Sequence, residues 1–561
     1  MVYKPRDRMR RIFVLIILMI CTMHAADAVR IVEFCPDPYL HDDSDEYLVI
    51  AGNGSLDGIT ISDGEGGFRF PPGSAVHGSV TIARSAPAFE QSHGRLPDFE
   101  WVDYSPIVPD VISGNQLRMA NTKDDLMLYE NGSLVQTITW PGDVKPREGQ
   151  VHYRENGEWD PRPLMLGQSR LSPAVFRHVS VTTFVSPDCS NTVFSEAMNS
   201  ATKSLFVNMY EFSSPEMGES LVAARVRGVD VRVLVEGGPV GGINADEKSL
   251  IWHMNTSGIP VLSMTSSKTE HAPYRYDHAK YVVIDNTSLL VTSENFKYSG
   301  FPPPGTSGNR GWGVYLRDPA LAGYFSGIFT TDTSSRSAIP YAGSAGAYEQ
   351  VTSGKHMPEF TPEHFEDATV TPVIAPDTSF EIITLINSSQ KSVEIEQAYI
   401  KNETSTGLNP YLAAAINASR RGVHVRVLLD AYWFNVEGPN DNDEMAALIN
   451  RISAAEHLPL EAKCIDLTVS QLEKIHNKGV IVDDSRVLVS SINWNSNSPN
   501  FNREAGVIID HPGVATYFRR VFDDDWNSRA PTAVTTDYRK IAIVALVIIL
   551  LLMVYYRRRR T

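Results

Sequence analysis

Two stretches of the chain carry the same polar residues at the same spacing. Residues 278–295 read HAKYVVIDNTSLLVTSEN and residues 476–493 read HNKGVIVDDSRVLVSSIN. In each, a His and a Lys stand two apart: His278 and Lys280, then His476 and Lys478. An Asp follows the Lys by five positions (Asp285; Asp483), a Ser by 13 (Ser293; Ser491) and an Asn by 15 (Asn295; Asn493). Two imidazoles, two ammonium groups and two amides gathered on one site suit phosphoryl transfer. The cations and amides neutralise the oxygens of a doubly charged transition state, one imidazole attacks phosphorus, and the other protonates the leaving oxygen. Those groups already supply the charge that a metal would give, so no metal ion and no cofactor is expected.

A strand is the element that positions such residues, because positions i and i+2 of a strand point to one face. YVVI after Lys280 and GVIV after Lys478 read as buried strands, and Asp-Asn-Thr and Asp-Asp-Ser as the turns that end them. A second apolar run, SLLVTS or RVLVSS, returns the chain so that Ser and Asn reach the same site. Asp285 and Asp483, at the strand ends, read as structural more than as proton carriers.

The repeated pattern H-x-K-x4-D followed by S-x-N resembles the phospholipase D superfamily. Thr292 and Ser490 stand where that family usually has Gly before the Ser. The resemblance implies a site made of His278, Lys280, Asp285, Asn295, His476, Lys478, Asp483 and Asn493, with Lys280, Ser293, Asn295, Lys478, Ser491 and Asn493 on the substrate phosphate. It also implies two halves packed face to face round one active site. Each half carries an Asn-Arg pair, Asn309-Arg310-Gly311 and Asn502-Arg503-Glu504, and only the second supplies a carboxylate. An acidic residue near this place hydrogen-bonds a catalytic imidazole in the superfamily. Glu504, 28 residues after His476, is therefore expected to favour the imidazolium of His476. That makes His476 the general acid and His278 the nucleophile, and leaves the orienter of His278 unidentified at Gly311.

The repeat extends well beyond the hairpins. VSPDCS (185–190) answers IAPDTS (374–379), RGVDVRVLVEG (227–237) answers RGVHVRVLLDA (421–431), and YFSGIFTTD (324–332) answers YFRRVFDDD (517–525). Such an offset pattern is an internal duplication. Each half reads as strand, helix, strand, helix, motif hairpin and closing helix, with Gly228 and Gly422 just past the ends of helices. The fold class expected is α/β, in two duplicated halves over 178–332 and 373–530, joined by a linker over 333–372 rich in Ser, Gly and Pro. Residues 29–142 have another texture, with short β-type runs, many glycines and an Asn131-Gly132 hairpin turn. Through Glu33, Pro36, Glu46, Tyr47, Asn53 and that hairpin they resemble the lamin-tail domain, which implies an immunoglobulin-like β-sandwich serving as spacer or adhesion module. Residues 143–177 read as a connector.

The two ends bear on location. Residues 1–28 have five basic residues, an apolar run from Ile12 to Met23 and Ala26-Asp27-Ala28, the layout of a signal peptide. Ile541 to Tyr556 is an unbroken apolar run before Arg557 to Arg560, as in a short transmembrane helix with its arginines in the cytoplasm. A single-pass protein of the cell membrane is expected, with its catalytic region outside the cytoplasm. Seven Asn-x-Ser/Thr sequons fit an exported chain. The net charge is −16; the first 28 residues hold +3 and residues 537–561 hold +5, which leaves −24 for the exported part. That balance disfavours non-specific binding of nucleic acid. Cys35, Cys189 and Cys464 show no metal-ligand spacing, and a disulfide between the last two and three free thiols are both compatible with the sequence.

The function expected is that of an exported, membrane-anchored phosphodiesterase acting on phospholipid or a related diester through a phosphohistidine intermediate. A nuclease of the same superfamily and a phosphatidyltransferase are alternatives, because the motif sees the diester and not what hangs from it. A non-catalytic surface protein binding a partner through its β module is the alternative from another class. Aromatic residues such as Tyr210, Tyr274, Tyr276, Tyr399, Tyr432 and Trp433 are candidates to line a lipid or base pocket.

Overall fold

The computed structural model describes residues 28–140, 147–155, 158–159, 162–267, 271–349, 354–402 and 407–528. The transmembrane segment read above and, but for Ala28, the signal-peptide segment lie outside them. Among the described residues no helix is long and apolar enough to cross a membrane.

The two halves repeat one order of elements. The first runs through strand Phe176–Ser186, helix Ser190–Ser200, strand Ser204–Met209, helix Pro215–Val226, strand Asp230–Glu236, helix Ala245–Thr256 and strand Val261–Met264. The motif hairpin Lys280–Ile284/Ser288–Thr292, strand Gly311–Arg317 and helix Pro319–Thr333 complete it. The second half answers with Glu363–Ala375, Glu381–Asn387, Ser392–Gln397, Pro410–Arg420, His424–Leu429, Asn442–Glu456 and Leu460–Cys464. Its hairpin is Lys478–Val482/Arg486–Ser490, followed by Glu504–Asp510 and Pro512–Asn527. Gly228 and Gly422 take left-handed φ of 92° and 93° just past their helices, a conformation that costs glycine nothing.

All these strands, with Ala338–Pro340 at one edge, form a single 15-stranded sheet whose centre is the antiparallel pair Phe176–Ser186 and Glu363–Ala375. The halves are thus joined edge to edge through that pair. The sheet also folds about it, so that Ser288–Thr292 of one half packs against Arg486–Ser490 and Glu504–Asp510 of the other. The contact is side-chain deep. Trp312 of the first half, fully buried, tilts against Phe518 of the second, and a Cβ at Gly479 would overlap the Trp312 ring. One apolar core therefore runs through both halves.

The linker expected over 333–372 is shorter than its composition suggests. Ala338–Pro340 pairs with Val261–Met264, and residues from Glu363 onward are already the central strand of the second half. Its alternation of exposed and buried residues is masked in sequence by HFEDATVT, whose outward half is polar. The expected connector is likewise partly structured: His152–Glu155 pairs with Arg30–Cys35 and joins the N-terminal module. That module is β-rich, with a six-stranded and a five-stranded sheet enclosing a shared core that includes Phe34, Leu48, Ile61, Phe68 and Leu128. Asn131 and Gly132, at φ of 50° and 78°, make the two-residue turn expected there. Cys35, Cys189 and Cys464 are free thiols, so Cys189 and Cys464 are not joined.

Candidate active site

The site forms where strand ends of the two halves meet. Lys280 pairs with Met209, and Met209 also pairs with Val235, so the histidine and lysine stand at the carboxyl edge of the parallel strands Ser204–Met209 and Asp230–Glu236. In the second half Lys478 and Leu429 pair with Gln397 in the same way. Each histidine is held by the backbone of the opposite half. The His278 amide donates to the Arg503 carbonyl at 2.8 Å, and the His476 amide donates to the Arg310 carbonyl at 2.9 Å. The lysines are fully covered and fold back, Lys280 Nζ donating to the His278 carbonyl (2.7 Å) and Lys478 Nζ to the His476 carbonyl (2.6 Å).

The imidazoles are paired crosswise as well. His278 Nδ1 lies 2.7 Å from Glu504 Oε2, and His476 Nδ1 lies 3.3 Å from Glu294 Oε2. The expectation that Glu504 orients His476 is therefore corrected: Glu504 serves His278, because the motif strand of one half is stapled to the Asn-Arg segment of the other. Glu294 is the residue that sequence reasoning missed. It stands between Ser293 and Asn295, where the second half has Ile492, in the half whose Asn-Arg pair ends in glycine. A Cβ at Gly311 would overlap Glu294 Cγ, so the missing side chain is the room that the relocated carboxylate fills. A charged residue inside a buried hairpin end, in the half lacking the usual carboxylate, was the available signal. Both carboxylates are fixed by an Asn of their own half, Asn309 Nδ2 donating to Glu294 Oε2 and Asn502 Nδ2 to Glu504 Oε1, each at 3.0 Å.

The serines and aspartates of the motif sit elsewhere than on a phosphate. Ser491 Oγ donates to Glu504 Oε2 at 2.6 Å and accepts the Ala505 amide, while Ser293 Oγ accepts the Trp312 amide at 3.1 Å. Both are fully buried. Each hydroxyl accepts a backbone amide that fixes its hairpin end, and that of Ser491 is engaged in donation as well. Asp285 and Asp483 lie in the hairpin turns at the far ends of the motif strands. Asp285 accepts the amides of Thr202, Lys203 and Ser204, and Asp483 those of Gln390, Lys391 and Ser392. They tie each hairpin to the neighbouring strand, at the end of a five-residue strand away from the reacting edge, which agrees with a structural place for them. Asn295 and Asn493 do stand at the edge and are slightly exposed, Asn295 Nδ2 donating to Glu211 Oε2 at 2.8 Å. Glu211 is held in turn by Lys297 at 3.1 Å.

Electrostatically the site is a largely buried cluster of bases, two imidazoles and two amines, beside the carboxyls of Glu504 and Glu294. Burial pushes the His278 imidazole down to about 4, against the opposing pull of Glu504. It pushes the Lys280 ammonium down to about 8 and drives Lys478 well down too, with Lys280 adding to the effect. Burial also lowers His476, helped by Lys478, Lys474, Lys280 and His278. Burial raises Glu294 to about 7. Burial works the same way on Glu504, but the charge and hydrogen bond of His278 outweigh it and hold that carboxyl below its ordinary value. An anion entering here favours the charged forms of Lys280 and Lys478. That is the electrostatic definition of an oxyanion site.

Arg310 and Arg503 link the halves beneath it. Arg310 pairs with Asp188 of its own half and Asp525 of the other, each at 2.7 Å. Arg503 pairs with Asp377 of its own half at 3.3 Å and Asp332 of the other at 2.8 Å. Of the aromatic candidates, Tyr210 stacks edge-on against His278 at 4.5 Å, and Tyr274 bonds Arg503. Trp433 does not line the site, being 56% exposed.

Comparison with known proteins adds the following. The chain matches the family model described as "Cardiolipin synthase, PLD-like domain" over residues 194–333 and 382–526, one segment in each half. No curated protein matches it by sequence. Among solved structures it is similar to phosphatidylserine synthase of Haemophilus influenzae Rd KW20, at 13% identity and a TM-score of 0.45, covering 62% of this chain and 85% of that one. It is also similar to Nuc of Salmonella typhimurium, described as a phospholipase D family member (23% identity, TM-score 0.25, 30% of this chain and 99% of that one). NucT of Helicobacter pylori is a third (16% identity, TM-score 0.24, 29% and 97%).

Proposed function

The chain belongs to the phospholipase D-like family, both of its halves matching the family model, and from that membership we propose that it is a phosphodiesterase hydrolysing phospholipid through a phosphohistidine intermediate. The observation that carries the chemistry is the crosswise pair of imidazole–carboxylate contacts, His278 with Glu504 and His476 with Glu294. The hydrogen bond to Glu504 at Nδ1 fixes the tautomer of His278 and leaves its Nε2 for the substrate, while Glu294 stands beside His476 Nδ1 at 3.3 Å as a charge contact. His278 has the ionised partner at 2.7 Å and is neutral above about pH 4, so its Nε2 lone pair is the nucleophile. Glu294, whose carboxyl burial raises to about 7, holds a proton beside His476 below that pH. An arriving phosphate draws that proton to His476, the general acid.

In the first step His278 Nε2 forms a bond to phosphorus as the P–O bond to the leaving alcohol breaks, and His476 gives that oxygen its proton. In the second, His476 takes a proton from water, whose oxygen displaces His278 and releases the phosphate monoester. Lys280, Lys478, Asn295 and Asn493 stabilise the equatorial oxygens in both. An alcohol in place of water makes the same site a phosphatidyltransferase. The lipid reading rests on the acidity of the chain, −16 overall, which opposes a polyanion. Anchoring by residues 541–556, with the catalytic region outside the cytoplasm, belongs to the same proposal. The test assays the full chain on phosphatidylcholine vesicles and on single-stranded DNA, with His278→Ala as control. Phosphatidate release abolished by the substitution is expected; DNA cleavage without lipid turnover would establish the nuclease alternative.

A further inference from the structure

Two loops leave the sheet at the edge where His278, Lys280, His476 and Lys478 stand. One joins Glu236 to helix Ala245–Thr256 and the other joins Leu429 to helix Asn442–Glu456, so the internal duplication places them as counterparts. Each is attached one step from a catalytic imidazole. The Val240 amide donates to Tyr210 Oη at 2.8 Å, and the Tyr210 ring packs on His278. Asp430 accepts the Ile475 amide at 2.7 Å, immediately before His476, and Lys474 lies over the Tyr432 ring.

Both loops present apolar tips to solvent. Val240 is 74% exposed, Trp433 56% and Phe434 70%, with Trp433 and Phe434 in ring contact at 5.8 Å and held in a single 3-10 turn. Lone exposed apolar residues are ordinary, but adjacent exposed aromatics ordered beside a site are not. Neither loop contains a Lys or Arg: residues 237–247 carry Asp246 and Glu247, and residues 430–444 carry five acids including Glu437 and Asp441. Such a surface repels a polyanion. Apolar tips on both sides of the edge, with aromatic rings leading and acids set back, fit a broad, uncharged or zwitterionic apolar phase, where Trp and Phe sit at the level of the headgroups.

We propose that Val240 and the Trp433–Phe434 tip dock this edge onto a zwitterionic lipid surface, seating the catalytic histidines over the headgroups. This rests on the phospholipid reading of the site, and the test separates the two. The full chain is reconstituted into phosphatidylcholine vesicles with or without brominated acyl chains, and the fluorescence of Trp433→Phe is subtracted from that of the unsubstituted protein. Docking predicts that the difference signal is quenched by the brominated lipid; an unquenched signal overturns it, whatever the substrate is. Turnover is then compared on vesicles and on monomeric dihexanoyl phosphatidylcholine. Trp433→Ser with Phe434→Ser, and separately Val240→Ser, are expected to lower the vesicle rate by roughly 10- to 100-fold for the double variant, the factor for keeping a large side chain out of the apolar phase. The monomer rate should change less than about twofold. Equal losses on both substrates, or none on vesicles, overturn the proposal. Quenching without turnover of either lipid retains the docking surface and removes the phospholipase reading.

Discussion

At the scale of single residues, the proposed division of labour between two similar histidines turns on the carboxylates beside them. Glu504 is ionised and close to His278, so Glu504→Gln should remove the charge that stabilises the tautomer and the developing positive charge on attack. A fall in kcat on the order of 10² to 10⁴ is expected. Acid-quenched mass spectrometry should find the phosphoryl adduct on the peptide with His278 and none on that with His476; the reverse distribution would exchange the two roles. The pH profile follows from the same groups. His278 loses its lone pair as pH falls through about 4, giving the acid limb, and Glu294 loses the proton it holds beside His476 as pH rises through about 7, giving the alkaline limb. In kcat/KM, which reports the free enzyme, Glu294→Gln should abolish the limb near 7. Persistence of that limb in the variant would assign it to another group.

At the scale of elements, the two hairpins are variants of one design in which a carboxylate has changed its place. In the second half it extends from the strand Glu504–Asp510, and in the first it extends from the turn after Ser288–Thr292 into the space above Gly311. The two positions are interdependent, so substitutions there should be non-additive. Gly311→Ala should cost about 1–3 kcal/mol by overpacking against Glu294, read from urea unfolding. Glu294→Ile, which copies the second half, should slow turnover of diesters with poor leaving groups on the order of 10²-fold or more. Adding Gly311→Glu to it rebuilds the second-half arrangement and should recover part of that loss. If the double variant is no better than Glu294→Ile alone, the carboxylate does not act through its position beside His476.

At the scale of the whole molecule, a shared core and two arginine clamps make the halves one body. Arg310 and Arg503 each hold one aspartate from either half, in fully buried pairs. Arg310→Met leaves Asp188 and Asp525 without their cation, and a destabilisation of about 3–5 kcal/mol is expected in urea unfolding, the cost of a buried charge stripped of its partner. A loss below about 1 kcal/mol would mean that the clamp does not hold the halves together. The backbone carbonyl of residue 310 that accepts the His476 amide is kept in this variant, so activity should fall only with the folded fraction.

The sequence by itself determined the duplication, the α/β class and the residues at the reacting edge, because these depend on local periodicity and on spacings that two copies confirm against each other. His278, Lys280 and Asn295 and their counterparts were legible for that reason. The extent of the central strand from Glu363 was not, since its outward residues are polar and its partners lie nearly two hundred residues away. Only the tertiary structure decided which carboxylate meets which imidazole. Glu504 is nearer in sequence to His476, but the sheet folds about its central strand pair, and each motif strand then meets the Asn-Arg segment of the opposite half. Ser293, Ser491, Asp285 and Asp483 share the regular spacing because each holds a fixed point of its hairpin, the aspartates the turn and the serines the end. Glu294 carried a local signal as a charged residue at a buried hairpin end, but its partner carried none; the pairing lies in the space that Gly311 leaves and in an imidazole brought there from the other half of the chain.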